Sequence, residues 1–336
     1  MRRWTACGAI ALASIGCLLD TPAVAIAQGL APAFDLQAHR GGRGLMPENT
    51  LPAFANALRI GVTTLELDCG ITADGVVVIH HDLFLNPNTA RGADGVWLAA
   101  NGPMIHALTF AELSRYDVGR LKPGTQYAAG QPQQTPVDGT RIPRLADLFE
   151  LVAKSGDKTV RFNIETKLSP MERDGTVDAE TFAAKIIAEI RKGGMQKRAT
   201  IQSFDWRTLA IAQRIAPEIP TVYLSAQQKW LDNIGADNRA GSPWTAGLNY
   251  REFGSVPKMV KHAGGAVWSP YFGDASRNLV NEAHALGLKV VVWTVNNEAD
   301  MRAMLDRGVD GIISDRPDIL RRVAGEAGLV LPPAGN

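Results

Sequence analysis

The sequence predicts a (β/α)8 barrel. Three observations carry that expectation. Short β-branched strands alternate with amphipathic helices after Gln28. Eight such units fit into about 300 residues. No glycine-rich dinucleotide turn supports the rival fold, an open doubly wound sheet.

The expected strands are Phe34–His39, Thr64–Cys69, Val160–Thr166, Ala199–Phe204, Thr221–Leu224, Ala266–Pro270, Lys289–Val295 and Gly311–Ser314. The first helix is expected at Leu51–Ile60, with Asn49 or Thr50 as N-cap, Pro52 in the first turn and Gly61 past the end. Further helices are expected at Arg144–Lys154, Asp178–Lys192, Trp206–Ile215, Ala275–Leu286, Glu298–Asp306 and Pro317–Ala324. Val76–His80 follows the second strand after only Thr72-Ala73-Asp74-Gly75, too short a link for a parallel crossover. Asp-Gly favours a tight hairpin, which returns His81 to the barrel rim beside Asp68. Residues 83–141 are rich in Asn, Gly, Pro and Gln, with one helix expected at Thr109–Tyr116. The segment is too long for an ordinary βα loop and reads as a lid or wall over the carboxyl end of the barrel. Residues 325–336 read as a loose tail.

Residues 1–27 have the order of an export signal: Arg2-Arg3, an apolar run from Thr5 to Leu19, and A-x-A sites at Ala23–Ala25 and Ala25–Ala27. The expected catalytic domain is then 28–336, and the expected location is the periplasm. Removing Arg2, Arg3 and Asp20 from 35 basic and 34 acidic residues leaves 33 of each, which points away from nucleic acid as a partner. No stretch beyond the N-terminus is long and apolar enough to span a membrane. Cys7 and Cys17 leave with the signal, so Cys69 has no disulfide partner and reads as a packed thiol. Oligomeric state is not legible.

Two strings concentrate the chemistry: H-R-G-G-R-G-L-M-P-E-N-T from His39 to Thr50, and E-L-D-C-G-I-T-A-D-G-V-V-V-I-H-H-D from Glu66 to Asp82. Glu66 and Asp68, two apart on one strand, share a face. Together they resist ionisation, and a divalent cation relieves both. Glu165, in N-I-E-T-K, supplies a third oxygen, and all-oxygen ligation suits Ca2+ or Mg2+. His39 ends the first strand, and Gly41 and Gly42 let backbone approach a ligand. Arg40 can fork onto phosphate oxygens. His80 and His81 point to opposite faces. His81 is assigned to the site and His80 to packing or the surface. Lys167 shares a face with Glu165 and reads as a second phosphate contact. Glu48 is expected to orient a histidine or to assist the helix start. Phe204 and Trp293 end strands and read as an apolar wall for a glycerol backbone. Two proton carriers, a hard-cation site and a guanidinium form a set suited to phosphodiester cleavage.

These strings, with Q-S-F (Gln202–Phe204), V-V-W-T-V-N (Val291–Asn296) and G-V-D-G-I-I-S-D-R-P (Gly308–Pro317), run in the order of the bacterial glycerophosphodiester phosphodiesterases, which the chain resembles from residue 38 to 317. The resemblance implies a barrel that hydrolyses deacylated phospholipid head groups to glycerol 3-phosphate and an alcohol such as choline or ethanolamine. It implies His39 and His81 as acid and base, and Glu66, Asp68 and Glu165 as ligands of one divalent cation. Arg40 and Lys167 would contact phosphate. By analogy with related barrel phospholipases, the attacking group is the glycerol 2-hydroxyl, through a cyclic phosphate, or else water. Cys69 and Thr166 replace residues usually aliphatic in the family. The rivals are a phosphoinositide phospholipase C or sphingomyelinase D-like barrel, against which the three carboxylates and the lack of a basic amphipathic helix argue, and a glycerophosphodiester-binding protein.

Overall fold

The computed structural model describes Met1, residues 34–172 and residues 174–335. Apart from Met1, the expected signal segment 1–27 lies outside the described residues. Chain order from residue 35 is β1 (Asp35–Ala38), α1 (Leu51–Ile60), β2 (Thr64–Ile71), β3 (Val77–Ile79), α2 (Phe110–Leu113), α3 (Gln126–Ala129), α4 (Leu145–Ser155), β4 (Arg161–Thr166) and α5 (Ala179–Lys192). It continues with β5 (Ala199–Ser203), α6 (Trp206–Ile215), β6 (Thr221–Ser225), β7 (Gln227–Gln228), β8 (Leu231–Asp232), α7 (Tyr250–Phe253), α8 (Val256–His262) and β9 (Val267–Pro270). It ends with α9 (Arg277–Ala285), β10 (Lys289–Val292), α10 (Glu298–Arg307), β11 (Gly311–Ser314) and α11 (Pro317–Glu326).

The parallel strands run β1-β11-β10-β9-β6-β5-β4-β2, and β2 pairs again with β1, closing the (β/α)8 barrel. Leu65, Leu67 and Cys69 of β2 face outward into the apolar layer under the helices, and all three are fully buried. Glu66 and Asp68 therefore face the axis, because successive side chains on a strand alternate. The Cys69 thiol is pushed well up by burial, as a packed residue should be.

β3 pairs antiparallel with β2 in the register Cys69↔Ile79 to Ile71↔Val77, forming the expected hairpin with Gly75 at φ 80°. The segment 83–141 holds the expected helix only as the single turn α2, with α3 as an unforeseen second turn. Its apolar residues Leu85, Ala90, Ile105, Leu113 and Val118 form a small core of their own with Val78 and Ile142.

One helix was not foreseen, and one expectation needs correction. The link between β6 and β9 contains the seven-residue helix α8, hidden in the sequence by the Gly/Asn/Pro-rich run before it. The segment 325–336 was expected to be loose, but its described residues, 325–335, are docked. Leu329 and Leu331 pack on the main core, Arg321 Nη2 donates to Pro332 O at 2.8 Å, and Gly335 N donates to Arg59 O at 3.1 Å. Two leucine side chains and two hydrogen bonds to its backbone hold it there.

Candidate active site

The nine side chains picked from the sequence all line one cavity of about 670 Å³ at the carboxyl end of the barrel: His39, Arg40, Glu66, Asp68, His81, Glu165, Lys167, Phe204 and Trp293. The strands position most of them directly. His39 follows β1, Phe204 follows β5 and Trp293 follows β10, while β2 and β4 supply the carboxylates.

Past β1 the backbone coils tightly. Arg40, Gly41 and Gly42 take φ of 51°, 79° and 89°, the left-handed region that glycine enters freely. A Cβ on Gly41 would lie 2.9 Å from Ala53 Cβ, so the turn packs directly against α1. This coil turns the Arg40 backbone N–H onto Glu66 Oε2 at 2.8 Å. Thr50, not Asn49, caps α1 by accepting from Ala53 N. Asn49 instead donates from Nδ2 to Asp68 Oδ2 at 2.8 Å.

Ligand oxygens from Glu66, Asp68 and Glu165 lie within 4.8 Å of one another, and all three residues are buried. Burial and the neighbouring Asp68 charge push Glu66 well up, and burial raises Glu165 to about 7. Burial would raise Asp68 too, but the charges of His81, Arg40 and Lys167 hold it well below the usual carboxylate range. Three converging hard oxygens, two of them on carboxyls that resist ionisation, fit a divalent cation of the Ca2+ or Mg2+ kind. A layer of amides supports them from below. Gln202 Nε2 donates to Glu66 Oε1 at 2.6 Å, while Asn163 Nδ2 bridges Gln202 Oε1 at 2.8 Å and Gln37 Oε1 at 3.0 Å.

Each site histidine is tethered through Nδ1. His81 Nδ1 is 2.7 Å from Asp82 Oδ1, and His39 Nδ1 is 2.5 Å from Asp315 Oδ1. Burial opposes ionisation of both carboxyls, but their histidine partners hold them well below the ordinary range. With the carboxylates accepting at Nδ1, Nε2 of each ring is left for chemistry. Burial, then the charges of Arg40 and Lys167, lower His81 to about 4. Burial also lowers His39, with Asp315 pushing it back up. His80 lies outside this cavity, packed and 9% exposed, with Nε2 3.2 Å from Phe84 O.

Glu48 takes neither expected role. It accepts from Arg40 Nη1 at 2.8 Å and from the Tyr127 hydroxyl at 2.5 Å. Lys167 Nζ donates to Glu165 Oε1 at 2.9 Å and stands 3.8 Å from Asp68. It also lies 5.9 Å over the Phe204 ring. Phe204 and Trp293 meet edge to face at 5.2 Å, and Trp230 extends this aromatic wall 6.2 Å from Trp293.

Sequence reasoning missed Asp315, Asp82 as a tether, Asn49, Gln202, Arg43 and Tyr127. Asp315 alone had a visible signal, as the carboxylate directly after the last barrel strand in S-D-R-P.

A (β/α)8 barrel with two carboxylate-tethered histidines beside three buried carboxylates defines a phosphodiester-cleaving barrel enzyme. The model of the glycerophosphoryl diester phosphodiesterase family matches residues 39–319. A glycerophosphodiester phosphodiesterase of Caldanaerobacter subterraneus is 29% identical over 294 residues, 87% of this chain and 98% of that protein. A Silicibacter pomeroyi crystal structure, provisionally named a glycerophosphoryl diester phosphodiesterase, superposes with a TM-score of 0.80 at 37% identity, covering 90% of this chain and 96% of that one. An Oleispira antarctica phosphodiesterase solved with the product sn-glycerol-3-phosphate shares the fold, with a TM-score of 0.62 at 24% identity, covering 86% and 96%. The chain belongs to the glycerophosphoryl diester phosphodiesterase family, and it is a hydrolase of glycerophosphodiesters.

Proposed function

We propose that the chain releases glycerol 3-phosphate and an alcohol such as choline or ethanolamine by two-histidine acid/base catalysis. One divalent cation, Ca2+ or Mg2+, would be held by Glu66, Asp68 and Glu165. The observation that carries this reading is that both tethered histidines and the carboxylate triad line one cavity. The product bound in the Oleispira antarctica enzyme agrees with it.

When bound, the cation supplies positive charge against the phosphate oxygens and lets the three carboxylates ionise together. Arg40 and Lys167 add fixed charge at the same oxygens. His81, neutral near pH 7, is suited to take the proton of the attacking hydroxyl, from glycerol or water. His39, tethered through Nδ1 to Asp315, is suited through its Nε2 to the second proton transfer, to the leaving alcohol. Phe204 and Trp293 offer the glycerol carbons an apolar wall.

The reading is tested by following glycerol 3-phosphate release from several glycerophosphodiesters, with chelator and then Ca2+ or Mg2+ add-back. Activity that survives chelation unchanged would remove the cation from the reading. No release from any glycerophosphodiester would remove the substrate assignment. Export to the periplasm is part of the same proposal. It requires that the mature N-terminus recovered from cells lie near Gln28.

A further inference from the structure

We propose that Tyr127 is a positioning residue that acts through Glu48 to aim Arg40 at the substrate phosphate, so that the insertion 83–141 belongs to the catalytic frame. This rests on the reading that Arg40 binds that phosphate.

Arg40 is nearly buried, at 7% exposure, and its donors are divided between two sides. Nη1 donates to Glu48 Oε1 at 2.8 Å and, at the longer distance of 3.5 Å, to the Tyr127 hydroxyl. Nε is buried 3.3 Å from Asp68 Oδ2 without a hydrogen bond. Nη2 has no hydrogen-bond partner among the described residues, and the side chain lines the cavity. The unsatisfied edge of the guanidinium is therefore the one available to an anion.

What keeps it available is the state of Glu48. A buried carboxylate beside a guanidinium tends to pair with it through two parallel hydrogen bonds. Such a pairing would draw a second Arg40 nitrogen onto Glu48 and away from the cavity. The Tyr127 hydroxyl prevents it by donating to the other oxygen, Glu48 Oε2, at 2.5 Å. Burial and the Glu48 charge push the Tyr127 phenol well above its usual range, so it stays a donor. The nearest rival for that oxygen, Arg43 Nη1, stands 3.8 Å away and donates to the Tyr127 hydroxyl at 3.3 Å instead.

Tyr127 is itself held firmly. Thr125 caps its helical turn, accepting from Ala128 N. Three further links stitch the following residues to the site. Gln131 Nε2 donates to Asp315 Oδ2 at 3.3 Å, Gln134 Nε2 to Arg43 O at 2.8 Å, and Thr135 N to Leu45 O at 2.8 Å.

The test is a double-mutant cycle on the metal-loaded enzyme with glycerophosphocholine as substrate: wild type, Tyr127→Phe, Arg40→Ala and the double variant. Phenylalanine keeps the ring and removes only the hydroxyl, which donates to Glu48 and accepts from Arg43. Tyr127→Phe is expected to lower kcat/KM about tenfold, the scale of one charge-assisted hydrogen bond. It should weaken competitive inhibition by inorganic phosphate by a similar factor, while the melting temperature moves by less than about 4 °C. In the Arg40→Ala background the same change should cost nothing further. Full activity and phosphate affinity in Tyr127→Phe would overturn the proposal, as would an equal loss in both backgrounds. An Arg40→Ala enzyme with wild-type kcat/KM would show instead that the phosphate reading of Arg40 had failed, and the proposal with it.

Discussion

Nδ1 of His39 lies 2.5 Å from Oδ1 of Asp315, a carboxylate 276 positions further along the chain. The first and last strands of the barrel are neighbours, so residues just past their ends meet. Asp315 also accepts from Arg43 Nε at 2.9 Å and from Asn296 Nδ2 at 2.8 Å, which hold the carboxylate still.

Asp315→Asn keeps the volume but turns an acceptor into a potential donor toward His39 Nδ1. The tautomer with Nε2 protonated is then favoured, and the ring loses its imidazolium partner. In a comparable His–Asp pair the loss is about 10⁴-fold, so a kcat decrease of about 10²–10⁴-fold is expected, measured as glycerol 3-phosphate release. Wild-type kcat would show that the contact is structural only.

His39→Ala and His81→Ala should each lower kcat by about 10²–10⁴-fold. Thermal melting should change little for His81, whose side chain is 30% exposed. Asp82→Asn should be milder than Asp315→Asn, because Asp82 is 24% exposed and water can replace part of its effect, whereas Asp315 is 2% exposed.

The carboxylate triad predicts how cation binding depends on pH. Glu165 is raised to about 7 in the folded chain from 4.5. A raised carboxyl contributes stability that is present below 4.5 and lost as pH rises through 7. Metal-free protein should therefore lose stability over that window, and Ca2+ should restore it by displacing the proton. The Ca2+-induced rise in melting temperature should be larger at pH 8 than at pH 5.5, approaching about 3 kcal/mol of added stability at a hundredfold excess over Kd. A pH-independent shift would contradict this.

Glu66→Gln removes one ligand oxygen's charge while leaving Gln202 and the Arg40 amide beside it. Cation affinity measured by calorimetry should fall by at least about tenfold. The metal-free variant should lose about 1–3 kcal/mol in denaturant unfolding, because both Glu66 oxygens accept from N–H donors and the new amide nitrogen must face one of them.

Gly41→Ala tests the coil that presents His39 and Arg40. Its φ is 79°, and the new Cβ would meet Ala53 Cβ at 2.9 Å and Phe54 Cδ1 at 3.1 Å. The cost should be about 1–3 kcal/mol of stability in denaturant unfolding, with activity lost as the coil shifts.

The barrel and the side chains that the chemistry most needs were legible in the residue pattern. Strand alternation put Glu66 and Asp68 on one face, and the short Asp74-Gly75 turn returned His81 to them. Such relations are local, set by period and linker length over a few residues. The partners of those side chains were set by how the chain closes on itself. Asp315 reaches His39 because the barrel closes, Gln202 reaches Glu66 across 136 positions, and Tyr127 reaches Glu48 across 79. A hydrogen bond between distant residues leaves no periodic trace in a chain. It becomes visible once closure fixes which strand ends are neighbours and how an irregular insertion packs over them.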